Sequence, residues 1–245
     1  MPDMWSAVLG GFDLGILHSL NGLVGRSPNF DNAIVFLTQS DLRGALLVAI
    51  FWWCWFRKMD TATTTRTREH VLRTLCGGIV AIFAARALAL SLPFRLRPKF
   101  EPALHFIAPS GSPVVLLDWS SFPSDHAALF SALAVGLCFI SWRAGLIGIL
   151  YTVFIICLPR MYMGWHYPSD VVVGLSLGAL VGYRMNVADF SRNLANRVLR
   201  WESASPGGFY LVFFMVSFEF STMFESLRDV AVAAVHFGAR LVAAL

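Results

Sequence analysis

Apolar stretches of near-spanning length recur along this chain, at 44–56, 70–94, 126–142, 144–159, 168–183 and 208–218. A helix that crosses a bilayer needs about 20 predominantly apolar residues, with about 17 as the lower limit. Inside hydrocarbon every backbone N–H and C=O must be bonded within the chain, which leaves helices as the natural form for segments of this kind. Composition agrees: of 245 residues 57% are hydrophobic and only 14% charged, against about 25% charged in soluble domains. The expected fold class is all-α, a polytopic membrane helix bundle of about six transmembrane helices plus interfacial amphipathic helices.

Positive charge sorts by loop. Arg57, Lys58, Arg66, Arg68 and Arg73 follow the first stretch, Arg143 sits in a tight hairpin at 141–143, and Arg184, Arg192, Arg197 and Arg200 lie within 184–200. The positive-inside rule places these three segments in the cytoplasm, and alternation then puts 93–125 and 160–169 on the periplasmic or exterior side. Two segments read as interfacial helices. In 1–28, Trp5, Val8, Leu9, Phe12, Ile16, Leu20 and Leu23 fall at helical spacing, but Asp13 and Asn21 interrupt the apolar run. In 186–202, Val187, Phe190, Leu194, Val198 and Trp201 make one stripe on an arginine-rich helix, suited to an anionic leaflet. Residues 208–245 form a C-terminal extension whose apolar part contains Glu219. The whole chain is expected to be one membrane-embedded domain with a core at about 86–184. Its start has an acidic residue and no small-residue cleavage site, so it is expected to be retained. Cys54, Cys76, Cys138 and Cys157 lie in apolar segments without CxxC spacing and read as small core residues, not as disulfides or metal ligands. The net charge of +4 suits an anionic membrane surface, and no nucleic-acid partner is expected.

Three polar clusters stand out against this apolar background. In Pro123-Ser124-Asp125-His126, a serine caps an incoming helix whose free N–H groups favour an anion, and a titratable histidine sits beside it. The second, Arg160-x5-His166-x3-Asp170, again precedes an apolar helix, started by Pro168. Arginine can hold phosphate bidentately, and a carboxylate on one histidine ring nitrogen leaves the other as a nucleophile. The third holds Arg86, Arg95, Arg97, Pro98 and Lys99. Arg86 lies in an apolar segment, where a charge costs at least about 2.5 kcal/mol and marks a functional candidate. Arg95 and Lys99 read as interfacial snorkelling residues. The loop charges put all three clusters on one side of the membrane.

In this order the clusters resemble the type 2 phosphatidic acid phosphatase superfamily, which includes lipid phosphate phosphatases and vanadium haloperoxidases. Its pattern is Lys-x6-Arg-Pro, then Pro-Ser-Gly-His, then Ser-Arg-x5-His-x3-Asp. Arg97-Pro98 matches the first motif; Pro123, Ser124 and His126 match the second; Arg160, His166 and Asp170 match the third. Three positions depart: Leu90 stands where the lysine would be, Asp125 replaces the glycine and Pro159 replaces the serine. Arg86, eleven residues before Arg97, is the best substitute for the lysine, and the Asp125 backbone N–H is a phosphate donor whose carboxylate must point away.

The resemblance implies a metal-independent phosphatase without a cofactor. His166, held by Asp170, would attack phosphorus. His126 would protonate the leaving group and then activate water. Arg97, Arg160, Ser124, Asp125 through its backbone and Arg86 would bind the phosphoryl oxygens. The expected substrate is a lipid phosphate or diphosphate, of the undecaprenyl diphosphate or phosphatidylglycerophosphate type, entering laterally from the surrounding membrane lipids. The expected setting is a bacterial inner membrane with the site facing outward. A vanadate-dependent haloperoxidase-like enzyme and a catalytically degenerate transport or scaffold protein are the alternatives. The sequence sets no oligomeric state.

Overall fold

The computed structural model describes residues 4–40, 42–113 and 119–224, and within these the chain is helical, with no strand. Ten α-helices follow in order: α1 Met4–Asn21, α2 Pro28–Gln39, α3 Leu42–Phe56, α4 Thr61–Ser91, α5 Asp125–Ile140, α6 Trp142–Tyr151, α7 Leu158–Tyr162, α8 Pro168–Val187, α9 Asp189–Ala204 and α10 Pro206–Ser221. A π-helical stretch, Thr152–Cys157, joins α6 to α7. Residues 1–3 of the expected N-terminal interfacial helix and 225–245 of the expected C-terminal extension lie outside the described residues.

Each apolar stretch of the sequence falls on a helix. By length and composition, α4 and the continuous 142–162 segment can cross a membrane, and the number rises to four if each of two bent helix pairs makes one span. The helices α5 and α10 are apolar but shorter, so the expected count of about six is not established. Large apolar side chains on the outer surface, among them Phe83, Leu90, Leu180, Leu211 and Phe214, are exposed, as hydrocarbon-facing positions would be.

At the centre α5 packs against α4, α6 and α8. Its side chains from Ala127 to Ala134 are buried. The contact with α8 is a backbone approach. A Cβ placed on Gly174 would lie 2.4 Å from the Ser124 carbonyl oxygen, on Gly178 2.0 Å from that of Ala128, and on Gly182 2.6 Å from that of Ala132. Glycine every fourth residue is the small-residue stripe that lets helices touch where no water drives them together.

Two further contacts are backbone-close. Gly136 admits the Thr74 side chain and Gly145 sits against Cys138. Cys54 and Cys157 are core residues as expected, whereas Cys76 is only partly buried and Cys138 is exposed. The other core lies between α3, α4, α9 and α10, where Trp55 stacks on Phe209 with centroids 5.3 Å apart.

The terminal elements differ in role. In α9 the buried face is Ser191 and Ala195, while Phe190 and Leu194, with Val187 at the end of α8, are exposed; the rest of the expected stripe docks on the protein, Val198 against the core and Trp201 against Phe209. In α1, by contrast, Asp13 and Leu17 are buried and the helix packs on α7 and α8. Asp13, expected to be a polar break on an interfacial surface, is directed into the protein. The helix α2, absent from the sequence reading, docks through Asp31, whose carboxylate accepts from the Tyr162 hydroxyl and from the Gly25 N–H.

The glycine stripe yields the first prediction. Gly178→Leu drives side-chain atoms into the Ala128 carbonyl and should lower stability by about 3 kcal/mol, read as a fall in the thermal unfolding midpoint in detergent. Gly207→Ala, at a position with nothing within 4 Å of the added Cβ, should leave the midpoint unchanged.

Candidate active site

The three polar clusters converge at one end of the α5–α8 contact. Ser124 caps α5, its hydroxyl accepting from the Ala127 N–H, and its own N–H donates to the Asp170 carbonyl at 3.1 Å. The first and second clusters are thereby tied through backbone. The third is joined to them as well: the Ser121 N–H donates to the Arg95 carbonyl, the Lys99 N–H to the Gly164 carbonyl, and Arg97 Nη1 to the Trp165 carbonyl at 3.1 Å. Gly164 takes a positive φ of 66°, and a Cβ there would strike the Phe106 ring at 2.6 Å, so the turn that delivers Trp165 and His166 requires glycine.

His166 is buried. Its Nδ1 lies 2.8 Å from the Ser121 carbonyl oxygen and 3.7 Å from Asp170 Oδ2. A carbonyl only accepts, so Nδ1 carries the proton and Nε2 keeps the lone pair. Asp170, expected to hold this ring, lies at ion-pair distance from Nδ1, while the hydrogen bond to Nδ1 goes to the Ser121 backbone. The Asp170 carboxylate also takes other donors. Oδ2 accepts from the Tyr167 N–H at 2.7 Å and Oδ1 pairs with Arg95 Nη1.

At Arg95 an expectation is corrected. Instead of snorkelling at an interface, the residue is only 6% exposed and bridges two buried carboxylates. Nη2 reaches Asp13 Oδ2 at 2.6 Å, while Nη1 reaches Ser169 Oγ at 2.7 Å and Asp170. Asp13 in turn accepts from the Ser169 N–H and hydroxyl. The guanidinium lies 3.8 Å from the centroid of the Tyr167 ring. Burial holds the Tyr167 phenol well above its ordinary pKa, with Arg95 opposing, so the ring stays neutral. Sequence reasoning missed this network because Asp13 and Ser169 are 156 residues apart; Asp13 as a charge inside an apolar helical pattern was the available signal.

The remaining cations line the site. Arg160 is 1% exposed, with Nη1 donating to the Ile156 carbonyl at 3.0 Å. Pro159 has no N–H for an α-helical bond and its ring crowds the preceding turn. The chain responds by widening, the Leu158 N–H bonding back five residues to Val153. Arg97 is desolvated: burial pushes its pKa down and Arg86 adds to this, while Asp125 and Asp170 pull it back up. The buried Nε atoms of Arg86 and Arg97, the Ser121 hydroxyl and Trp165 Nε1 have no hydrogen-bond partner among the described residues. Four buried donors around a histidine with a defined lone pair make a site that suits a polyanionic oxygen cluster. Ser121 and Trp165 were not singled out in the sequence, since nothing in their spacing marks them.

The Asp125 carboxylate pairs with Arg86 Nη2 at 2.7 Å and meets the Nδ1 and backbone N–H of His126, each at 2.8 Å. Arg86 reaches this position because α4 runs unbroken to Ser91, ahead of Pro93. Among the described residues no group of three or more His, Cys, Asp or Glu is placed to hold a metal.

Comparison with known proteins adds a family to this geometry. The model of the PAP2 superfamily matches residues 71–193, about half of the chain and all three clusters. The undecaprenyl-diphosphatase BcrC of Bacillus subtilis is 26% identical over 190 residues, covering 76% of this chain and 89% of that protein. A decaprenylphosphoryl-5-phosphoribose phosphatase of Mycobacterium tuberculosis is 31% identical, covering 64% of this chain and 89% of that protein. Among solved structures, a transmembrane PAP2-type phosphatidylglycerolphosphate phosphatase from Bacillus subtilis aligns with a TM-score of 0.48 at 21% identity, over 75% of this chain and 90% of that one.

The Arg95 bridge yields the second prediction. Arg95→Met leaves Asp13 and Asp170 buried without their cation and should cost about 3–5 kcal/mol, measured by denaturant or thermal unfolding in detergent. Adding Asp13→Asn should recover part of that loss by removing one of the stranded charges.

Proposed function

The chain belongs to the PAP2 superfamily, and from that premise we propose that it is an integral-membrane phosphatase that hydrolyses a polyprenyl diphosphate or a closely similar lipid phosphate through a phosphohistidine. The observation that carries this reading is the convergence of Arg97, Arg160, Arg86, Ser124 and two histidines around unpartnered buried donors. The two relatives matched by sequence are named for polyprenyl substrates, undecaprenyl diphosphate and decaprenylphosphoryl-5-phosphoribose, which favours that class.

His166 is the nucleophile. With Nδ1–H held by Ser121, the Nε2 lone pair attacks phosphorus, the bond to the leaving oxygen breaks, and His126 supplies the proton that oxygen takes up. Water then attacks the phosphohistidine, His126 removes its proton, the P–N bond breaks and phosphate departs. Arg97, Arg160, Ser124 and the Asp125 backbone N–H hold the phosphoryl oxygens as charge builds on them, with Arg86 beside them; in phosphoryl transfer such positioning and charge stabilisation are the main contributions. Asp170 acts one step back, fixing the Tyr167 N–H and Arg95 around the nucleophile. The positive charge is protein-borne, so the reaction runs without a metal.

The surroundings follow the same reading. About six helices cross a bacterial inner membrane, α1 and α9 lie along its surfaces, and the clusters open to the periplasm or exterior, where a lipid head group arrives laterally while its chain stays in the bilayer. The arginines around 57–73 and 184–200 support this orientation.

Phosphate release measured across undecaprenyl diphosphate, phosphatidylglycerophosphate and phosphatidate, with EDTA present, tests the function. The polyprenyl substrate should be the fastest, and loss of all activity on chelation, restored by magnesium, would overturn the mechanism. Acid-quench trapping with a labelled activated phosphate ester tests the histidines. His166→Ala should give no phosphoenzyme, whereas His126→Ala should still phosphorylate His166 while turning over about 100-fold more slowly. For orientation, single cysteines at 60 and 120, in a background without the native four, should label from opposite sides of intact cells; labelling of both from outside would refute the topology.

A further inference from the structure

Two positions depart from the family pattern in opposite electrical senses. Asp125 places a carboxylate where the pattern has glycine, next to a site for a phosphate. Arg86 lies on α4 one helical turn before Leu90, where the pattern has its first lysine. The two side chains meet: Arg86 Nη2 is 2.7 Å from Asp125 Oδ2. The other oxygen, Oδ1, takes both the backbone N–H of His126 and its ring Nδ1 at 2.8 Å. The carboxylate is therefore shared between a histidine on its own helix and an arginine from the neighbouring one. Arg86 is held from a third side by Trp119, whose ring centroid lies 4.3 Å from the guanidinium carbon.

A carboxylate that only accepts keeps a proton on His126 Nδ1 and turns Nε2 away from Asp125; the proton given to the leaving oxygen is the second one, carried on Nε2 in the imidazolium, and its loss leaves the neutral Nδ1–H form that can take a proton from water. An unaccompanied carboxylate at this place would repel the phosphoryl group by the same Coulomb interaction that makes arginines useful there. The ion pair with Arg86 cancels that repulsion while leaving the histidine contact intact. We propose that Asp125 is a positioning residue for His126 and that Arg86 is its counter-charge, so that the two departures act as one unit. The inference rests on the reading of His126 as proton donor to the leaving oxygen.

The unit makes a prediction that a merely structural ion pair does not. Asp125 works through proton delivery, so its removal matters most where the leaving oxygen needs a proton. It matters little where the leaving group departs as a stable anion. Arg86 works chiefly by cancelling the Asp125 charge, so its removal should hurt much more while Asp125 is present than in a chain without it.

The test uses the full chain in detergent with two soluble probes, phenyl phosphate and 2,4-dinitrophenyl phosphate. Asp125→Asn should lower kcat for phenyl phosphate by about tenfold or more and change kcat for the dinitrophenyl ester by less than about threefold. Arg86→Gln should raise KM for both esters, and Arg86→Gln combined with Asp125→Gly should recover most of that rise. In parallel, the 15N-histidine spectrum, with the His126 signals identified by their loss in His126→Gln, should show the Nδ1–H form in the parent chain and a mixed form in Asp125→Asn, with His166 unmoved. Equal loss on both esters, no recovery in the double variant, or an unchanged His126 spectrum in Asp125→Asn would overturn the proposal. Failure of the parent chain to cleave any phosphate ester would instead refute the phosphatase reading, while the spectrum still decides whether Asp125 holds His126.

Discussion

The backbones of α5 and α8 lie in contact, and almost every feature of the site depends on that approach. Glycine at 174, 178 and 182 removes the side chains that would hold the helices apart. In a membrane, where lipid tails are as apolar as leucine, such surfaces associate through close packing and not through expulsion of water. The contact at one end also builds the candidate site. Gly174 admits the Ser124 carbonyl, and one residue pair further out the Ser124 N–H bonds to the Asp170 carbonyl. The cap of one helix and the first turn of the other are thus one rigid assembly, and the histidine following each motif inherits its position from it.

Charge in this assembly is arranged in pairs, with arginines set against carboxylates that keep the cations from repelling one another. Arg95 lies between Asp13 and Asp170, and Arg86 against Asp125. Burying such groups is expensive unless each is paired and hydrogen-bonded, and here the pairing also decides which cations remain available. Arg95, sequestered by two carboxylates, is lost to the substrate. Arg97, whose Nε has no protein acceptor among the described residues, is available.

Much of this was legible in the sequence. The helical class follows from repeated apolar length alone, and the family resemblance drawn from Arg97-Pro98, Pro123-Ser124-x-His126 and Arg160-x5-His166-x3-Asp170 is borne out by the PAP2 match. The spacing also singled out Arg86 as the cation nearest to the missing lysine, and the structure brings it to Asp125. Other features were hidden for physical reasons. Arg95 looks like any interfacial cation because its partners are distant in sequence. Ser121 contributes a carbonyl, which every residue has, so no residue-type pattern can reveal it as the partner of His166. The wide turn before Arg160 follows from Pro159 but shows only in three dimensions. The glycines of α8 were visible at every fourth position, yet without a known partner helix their meaning could not be fixed.

The Asp13–Arg95–Asp170 bridge has a consequence for biogenesis. During synthesis Asp13 leaves the ribosome first, Arg95 about eighty residues later, and Ser169 with Asp170 only near the end of the core. Until α8 is made, Arg95 lacks Asp170 and the bridge cannot close. The segment that completes it also carries His166, four residues before Asp170. The bridge and the candidate site therefore form together, and only after the first helix of the chain and the last helix of the core have met.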